Sequence, residues 1–334
     1  MAFHRFLLRL CGRAPDALIT YARHSLAQAR HSLDEYWLNR VAKSLAFAAH
    51  AGQFSVTSAE AGLLSRMLSA AGSAWSFVDD LPVTDERLPL PFLAVGDEYF
   101  DDCGQEQLDR IDQAALKAVI ADDDTMALWR AWRVPAVRIL YPEPKRVFLV
   151  QAAPDTDAVT LASKIQQILT TAGERHPLVE VFDQPLLLPE FSRRALRDGD
   201  LLWTERPAPA VRFALTFDAV AADGTPTFSD TRPRLRRTEA DRVAGYLNAG
   251  ALLLPDHGLT RDVLNPSRPL VVPTSLRGDS TWVWSEAAIY YLTKHRIAPH
   301  EELLATIRAA GYAPPTTDPV SVYYYRAAFS DNTR

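Results

Sequence analysis

Lys145–Phe182, KRVFLVQAAPDTDAVTLASKIQQILTTAGERHPLVEVF, decides the fold. Its opening KRVFLVQA is an apolar, strand-length run bounded by polar residues and reads as a strand. Asp155 or Thr156 stands where a helix needs a cap, and apolar residues then recur at helical spacing from Asp157 to Thr171. LVEVF at Leu178–Phe182 is the next strand. Upstream, VRILY (Val137–Tyr141) reads as a partner strand, joined to KRVFLVQA through Pro142-Glu143-Pro144. The order is β–β–α–β. If the strands flanking the helix are parallel, the step through it is a right-handed crossover.

Before this unit the first ~75 residues read as helical on apolar periodicity. Leu18, Ala22, Leu26, Ala29, Leu33, Trp37, Val41 and Leu45 draw one stripe, containing the repeat ARHSL at Ala22–Leu26 and Ala29–Leu33. Two heptads are too few for a coiled coil. Gly52 ends this helix; Thr57 or Ser58 caps another through Leu68, with Gly72 closing it. A proline- and acid-rich connector follows, then a short strand from Phe92 and a helix over Glu106–Ile120. Beyond the central unit, strands are expected at Asp200–Thr204 and Val211–Val220, with Asp223-Gly224 turning a hairpin.

The last third opens on the basic run Arg232-Pro233-Arg234-Leu235-Arg236-Arg237, before a helix that Thr238 and Asp241 are placed to cap. Arg277–His295, RGDSTWVWSEAAIYYLTKH, is a second readable unit. Gly278-Asp279 turns a hairpin, Trp282 and Trp284 fall on one strand face, and Ser285 caps a helix. Trp284 and Ile289 are set for a hydrophobic staple. A helix over His300–Ala310 and an aromatic strand, Ser321–Arg326, close the chain. The expected class is α+β: a helical N-terminal region followed by a mixed sheet with flanking helices. Four regions are expected: helices over 1–75, an acidic connector and helix over 76–135, an α/β sheet unit over 136–230, and an α+β module over 231–334.

At 334 residues and 48% apolar, the chain can fill two ordinary cores. Cys11 and Cys103 are its only cysteines, so no disulfide framework or cysteine metal site is expected, and a reducing cytoplasmic setting is the simplest reading. Arg5, Arg9 and Arg13 interrupt an N-terminal apolar run too short for a signal sequence or a membrane span.

The net charge of −5 conceals an asymmetry. Between Asp79 and Asp124 fourteen acids face only Arg87, Arg110 and Lys117, so that segment carries −11 and the remainder +6. Such a run is usually a solvated face; it is also suited to docking a basic partner. Asp97, Glu98, Asp101, Asp102, Asp122, Asp123 and Asp124 are the candidate partner-binding residues. Nucleic acid is disfavoured there.

The chain holds no GxSxG elbow, no GxxxxGK[ST] loop, no GxGxxG and no HExxH, and its eight histidines lack ligand spacing. Neither a metal nor a cofactor is implied, and an enzyme is the less favoured class. The Asp155–Asp157 pair sits at a helix start, where acids cap free amides. One ligand recess remains conceivable, from Arg277, Asp279, Trp282, Trp284, Glu286, Tyr290 and Tyr291, with aromatic walls around one guanidinium. Against it, large aromatics usually pack cores.

The stretch Ser275–Ile307, SLRGDSTWVWSEAAIYYLTKHRIAPHEELLATI, resembles a tail of uncharacterised actinobacterial proteins, in which an R-T-D-G-x-W-x-W hairpin leads into a Y-Y-L helix and a P-x-x-E-L-L helix. Gly278-Asp279-Ser280 replaces T-D-G here. The resemblance implies a structural module and a polymorphic-toxin, immunity or type VII secretion setting, and it carries no catalytic residue across. Two functions are therefore in view. One is a non-enzymatic binding protein, of immunity or adaptor type, gripping a basic protein through the acidic run. The other is an enzyme or toxin holding a nucleotide-like ligand through Arg277, the Arg232–Arg237 run and stacking tryptophans.

Overall fold

A computed structural model of the chain describes residues 2–32, 35–70, 92–93, 107–134, 144–254, 258–313, 315 and 317–330. The chain is α+β and divides into two compact units, Met1–Arg206 and Pro207–Arg334. Asp97, Glu98, Asp101, Asp102 and the strand expected at Val137–Tyr141 lie outside the described residues.

The N-terminal unit starts with helices α1 (Ala2–Leu10), α2 (Asp16–Ser32), α3 (Glu35–His50) and α4 (Ser58–Ala70). Thr57 and Glu60 cap α4 reciprocally: Glu60 N–H donates to the threonine hydroxyl and Thr57 N–H to the glutamate. There follow β1 (Phe92–Leu93), α5 (Arg110–Ile120), β2 (Thr125–Arg133), β3 (Lys145–Ala152), α6 (Ala158–Thr171), β4 (Leu178–Phe182), α7 (Glu190–Asp198) and β5 (Asp200–Thr204). β3 and β4 pair in parallel across α6, whereas β2 is antiparallel to β1, β3 and β5. Apolar faces of α5 and α6 close over Leu128, Phe148, Val150, Val179 and Val181 of the sheet.

Among the described residues, the outer edge of β4 is blunted by side chains and pairs with no strand. Arg23 donates to Val179 O (2.5 Å), His4 to Val181 O (2.8 Å) and Thr20 to Pro177 O (3.3 Å). An open strand edge would otherwise present these carbonyls for pairing.

The C-terminal unit contains β6 (Arg212–Ala214), β7 (Ala219–Val220), β8 (Pro226–Thr227), α8 (Arg237–Ala249), β9 (Ala251–Leu254), β10 (Leu259–Thr260), β11 (Val272–Pro273), β12 (Leu276–Gly278), β13 (Trp282–Ser285), α9 (Glu286–His295), α10 (Glu301–Ala309) and α11 (Pro319–Ser330). Its main sheet runs β6-β13-β12-β9. One face is packed by α8, α9 and α10 around Trp282 and Trp284; on the other, Val322 and Tyr325 of α11 meet Leu253 and Val283.

Several expectations need correction. Ser321–Arg326 is helical, inside α11. Pro319 suits a first helical turn, Asp318 accepts from Ser321 N–H (3.4 Å), and the i, i+3 pair Val322/Tyr325 finds apolar partners on the sheet. Tertiary packing overrides the β propensity of three tyrosines. Helix α8 begins at Arg237 with Arg236 as N-cap and no side-chain cap, so Thr238 lies inside the helix. Val211–Val220 divides into β6 and β7. The single N-terminal stripe is shared by α2 and α3.

Candidate functional site

The hairpin-helix unit assembles as its local sequence dictates. β12 and β13 pair antiparallel, and Ser285 caps α9 by accepting from Ala287 N–H (3.1 Å). Trp284 and Ile289 join one core cluster, as a staple requires. Asp279, almost wholly buried, accepts from Thr281 N–H and Trp282 N–H (2.7 Å each) and from the Tyr246 hydroxyl (2.8 Å). Gly250 lets the chain pass the Trp284 ring: an added Cβ would stand 2.4 Å from Cζ2.

The other residues of the recess that the sequence brought into view also bond within the unit. Arg277 pairs with Glu286 (2.6 Å) and donates to Asn248 O (3.2 Å) and Gly250 O (3.0 Å). The indole N–H groups of Trp282 and Trp284 donate to the Thr306 hydroxyl and Leu247 O (3.2 Å each). Tyr290 donates to Asp262 (3.0 Å), and the Tyr291 hydroxyl accepts from Val263 N–H (3.0 Å). Arg277, Glu286 and Asp279 thus pin the hairpin, the tryptophans form core, and the two tyrosines hold the 258–273 segment. Asp279→Ala is expected to lower the unit's stability by about 3 kcal/mol, because two amides and a phenol lose a charged acceptor. Urea unfolding followed by tryptophan fluorescence checks this; a loss under about 1 kcal/mol would contradict the assigned role.

Sequence reasoning missed a second polar node. Asp262, fully buried, bonds His295 Nε2 (2.7 Å), Tyr290 and Leu264 N–H (3.0 Å). Burial pushes its carboxyl up, but these donors outweigh burial and hold it below its usual range. His295 and Tyr290 were visible at the end of the helix; their partner, some thirty positions upstream, was not.

A groove of about 570 Å³ opens beside β6 and β13, lined by Phe213, Leu215, Phe217, Val220, Leu276 and Trp284 among others. The alternation R-F-A-L-T-F at 212–217 was the legible signal for this apolar edge. Asp218, the one charged lining residue, is paired with Arg232.

The described acids of the acidic run play different parts. Asp109 and Asp112 form a capping box at the start of α5 and take Arg146 and Arg130 respectively. Burial raises the Asp112 carboxyl, against the pull of Arg146 and Arg130. Asp122 binds Lys164 (2.7 Å) and accepts from Asp124 N–H (3.3 Å). Asp123 and Asp124 are exposed at the turn into β2 and meet no cation among the described residues. No group of three or more potential metal ligands occurs among the described residues, nor any helix long and apolar enough to cross a membrane.

Comparison with known proteins returns no matching family model, no matching curated protein and no matching solved structure.

Proposed function

We propose that the chain is a protein-binding module of immunity or adaptor type, engaging a basic protein through its acidic face. Supporting this is the exposure of Asp123 and Asp124, without a cation partner among the described residues, at the end of a segment carrying fourteen acids against three bases. Neighbouring Asp109, Asp112 and Asp122 are ion-paired, so the exposed pair is not needed to hold the fold. Unopposed charge of this kind speeds encounter with a basic surface and repels acidic competitors.

The test is capture of the partner from the native host at low salt, followed by reconstitution with the purified partner. Neutralising Asp97, Glu98, Asp101, Asp102, Asp123 and Asp124 should weaken the complex by at least about tenfold and flatten its salt dependence. Unchanged affinity in that variant would refute the assignment. The Arg277 guanidinium is engaged by one carboxylate and two carbonyls, which favours the binding reading over the nucleotide alternative.

A further inference from the structure

The chain leaving β6 lines the groove of about 570 Å³ and carries unused backbone groups. In the parallel pair with β13, Arg212 N–H donates to Thr281 O (3.3 Å). Arg212 and Ala214 therefore turn their amides and carbonyls toward β13, and Leu215 turns its own outward. The backbone amides and carbonyls of Leu215, Thr216 and Phe217 make no hydrogen bond among the described residues. Bonding resumes with Asp218 N–H, which donates to Thr227 O (3.0 Å). Around this row the groove is apolar. Its Val283, Trp284 and Ala287 are buried, whereas Leu215 and Val220 stand 63% and 69% exposed. Asp218, its one charged residue, is held by Arg232 and by Ser229 N–H.

We propose that this groove binds an extended, uncharged peptide segment of a partner protein. The segment hydrogen-bonds to the Leu215–Phe217 backbone and sets apolar side chains among Leu215, Val220 and Leu276. Three successive residues offer donors and acceptors in a row, and another extended backbone is the chemistry that answers such a row. A small apolar molecule would fill the volume but leave most of these groups to water. A charged side chain would lose its hydration there and find no free counter-charge. No cation lines the groove, so nucleic acid gains nothing from it. Asp123 and Asp124 belong to the other compact unit, so the two surfaces can be varied separately.

The probes are capped, fluorescein-labelled heptapeptides in which threonine alternates with valine, leucine or phenylalanine, titrated with the full chain and followed by anisotropy. Saturable binding is expected for at least one of them. Leu215→Glu and Val220→Glu should each weaken it by at least about tenfold. Leu270→Glu, at an exposed leucine of the same unit outside the groove, should stay within about twofold. Leu215→Pro removes the outward N–H and no sheet bond, and should weaken binding about three- to tenfold. No saturable binding by any peptide, or an equal loss in the Leu270 control, overturns the site. Full affinity in Leu215→Pro overturns the backbone pairing. Nile red held by the groove where no peptide binds would make the occupant a small apolar molecule. Self-association that Leu215→Glu abolishes would make it a second copy, and either result overturns the peptide. The acidic face is untouched by these changes, so failure here is distinguishable from failure of the acidic-face reading.

Discussion

Arg23→Met is expected to lower the stability of the N-terminal unit by roughly 3–5 kcal/mol, near the upper end of single-site effects. Arg23 and Glu180 are both completely buried. One guanidinium nitrogen, Nη2, lies 2.5 Å from each carboxylate oxygen, while Nη1 reaches Val179 O at 2.5 Å. The Cys11 thiol donates to the same carboxylate (2.8 Å), and burial followed by the Glu180 charge keeps that thiol protonated by pushing its pKa up. Removing the arginine strands a carboxylate in the interior and frees an edge carbonyl of β4. Removing both charges still frees that carbonyl but strands no carboxylate. Arg23→Met with Glu180→Gln should therefore recover most of the loss, to within about 2 kcal/mol of wild type. Urea unfolding of wild type, Arg23→Met, Glu180→Gln and the double variant reports this as a large non-additivity. Additive losses would mean that the two charges do not meet in the folded unit.

That pair also marks where sequence reading stops. Lys145–Ala152, Leu178–Phe182 and the Ser285 cap were legible because a strand pattern or a cap is written in adjacent residues. Trp282 and Trp284 were legible as core from their shared strand face. β2 went unnoticed because TMALWRAWR is buried along nearly its whole length, so it does not alternate. Its Arg130 suggests a surface, yet it is buried against Asp112 and Asp200, which stand 18 and 70 residues away. Arg23 belongs to one copy of the ARHSL repeat, and nothing in its neighbouring residues marks it as buried. Its burial depends on a carboxylate 157 residues downstream. The partners of Arg277 were hidden for the same reason: Asn248 and Gly250, whose carbonyls accept from it, come from another helix end.

Acid should loosen the same N-terminal unit through His4. Its Nε2 lies 2.8 Å from Val181 O, and a carbonyl only accepts, so Nε2 carries the proton and donates. Nδ1 is buried and has no hydrogen-bond partner among the described residues, so a second proton there would be a buried charge close to Arg23. Burial is the larger cause and the Arg23 charge the next; against the Val181 and Asp183 contributions they bring His4 from 6.5 down to about 4. A folded-state pKa below the unfolded one means that the unfolded chain binds the proton first. The contribution is fully present above pH 6.5 and is lost as the pH falls toward 4, by roughly 3 kcal/mol in total. Below that pH this group costs nothing further. Urea midpoints for wild type and His4→Gln, taken from pH 7.5 to pH 4.5, should converge as the medium is acidified. Lowered carboxyls such as Asp109 and Asp262 titrate in both proteins and cancel in the difference. Parallel curves would place His4 in contact with solvent. Converging curves would show that β4 keeps its capped edge only while this ring stays neutral.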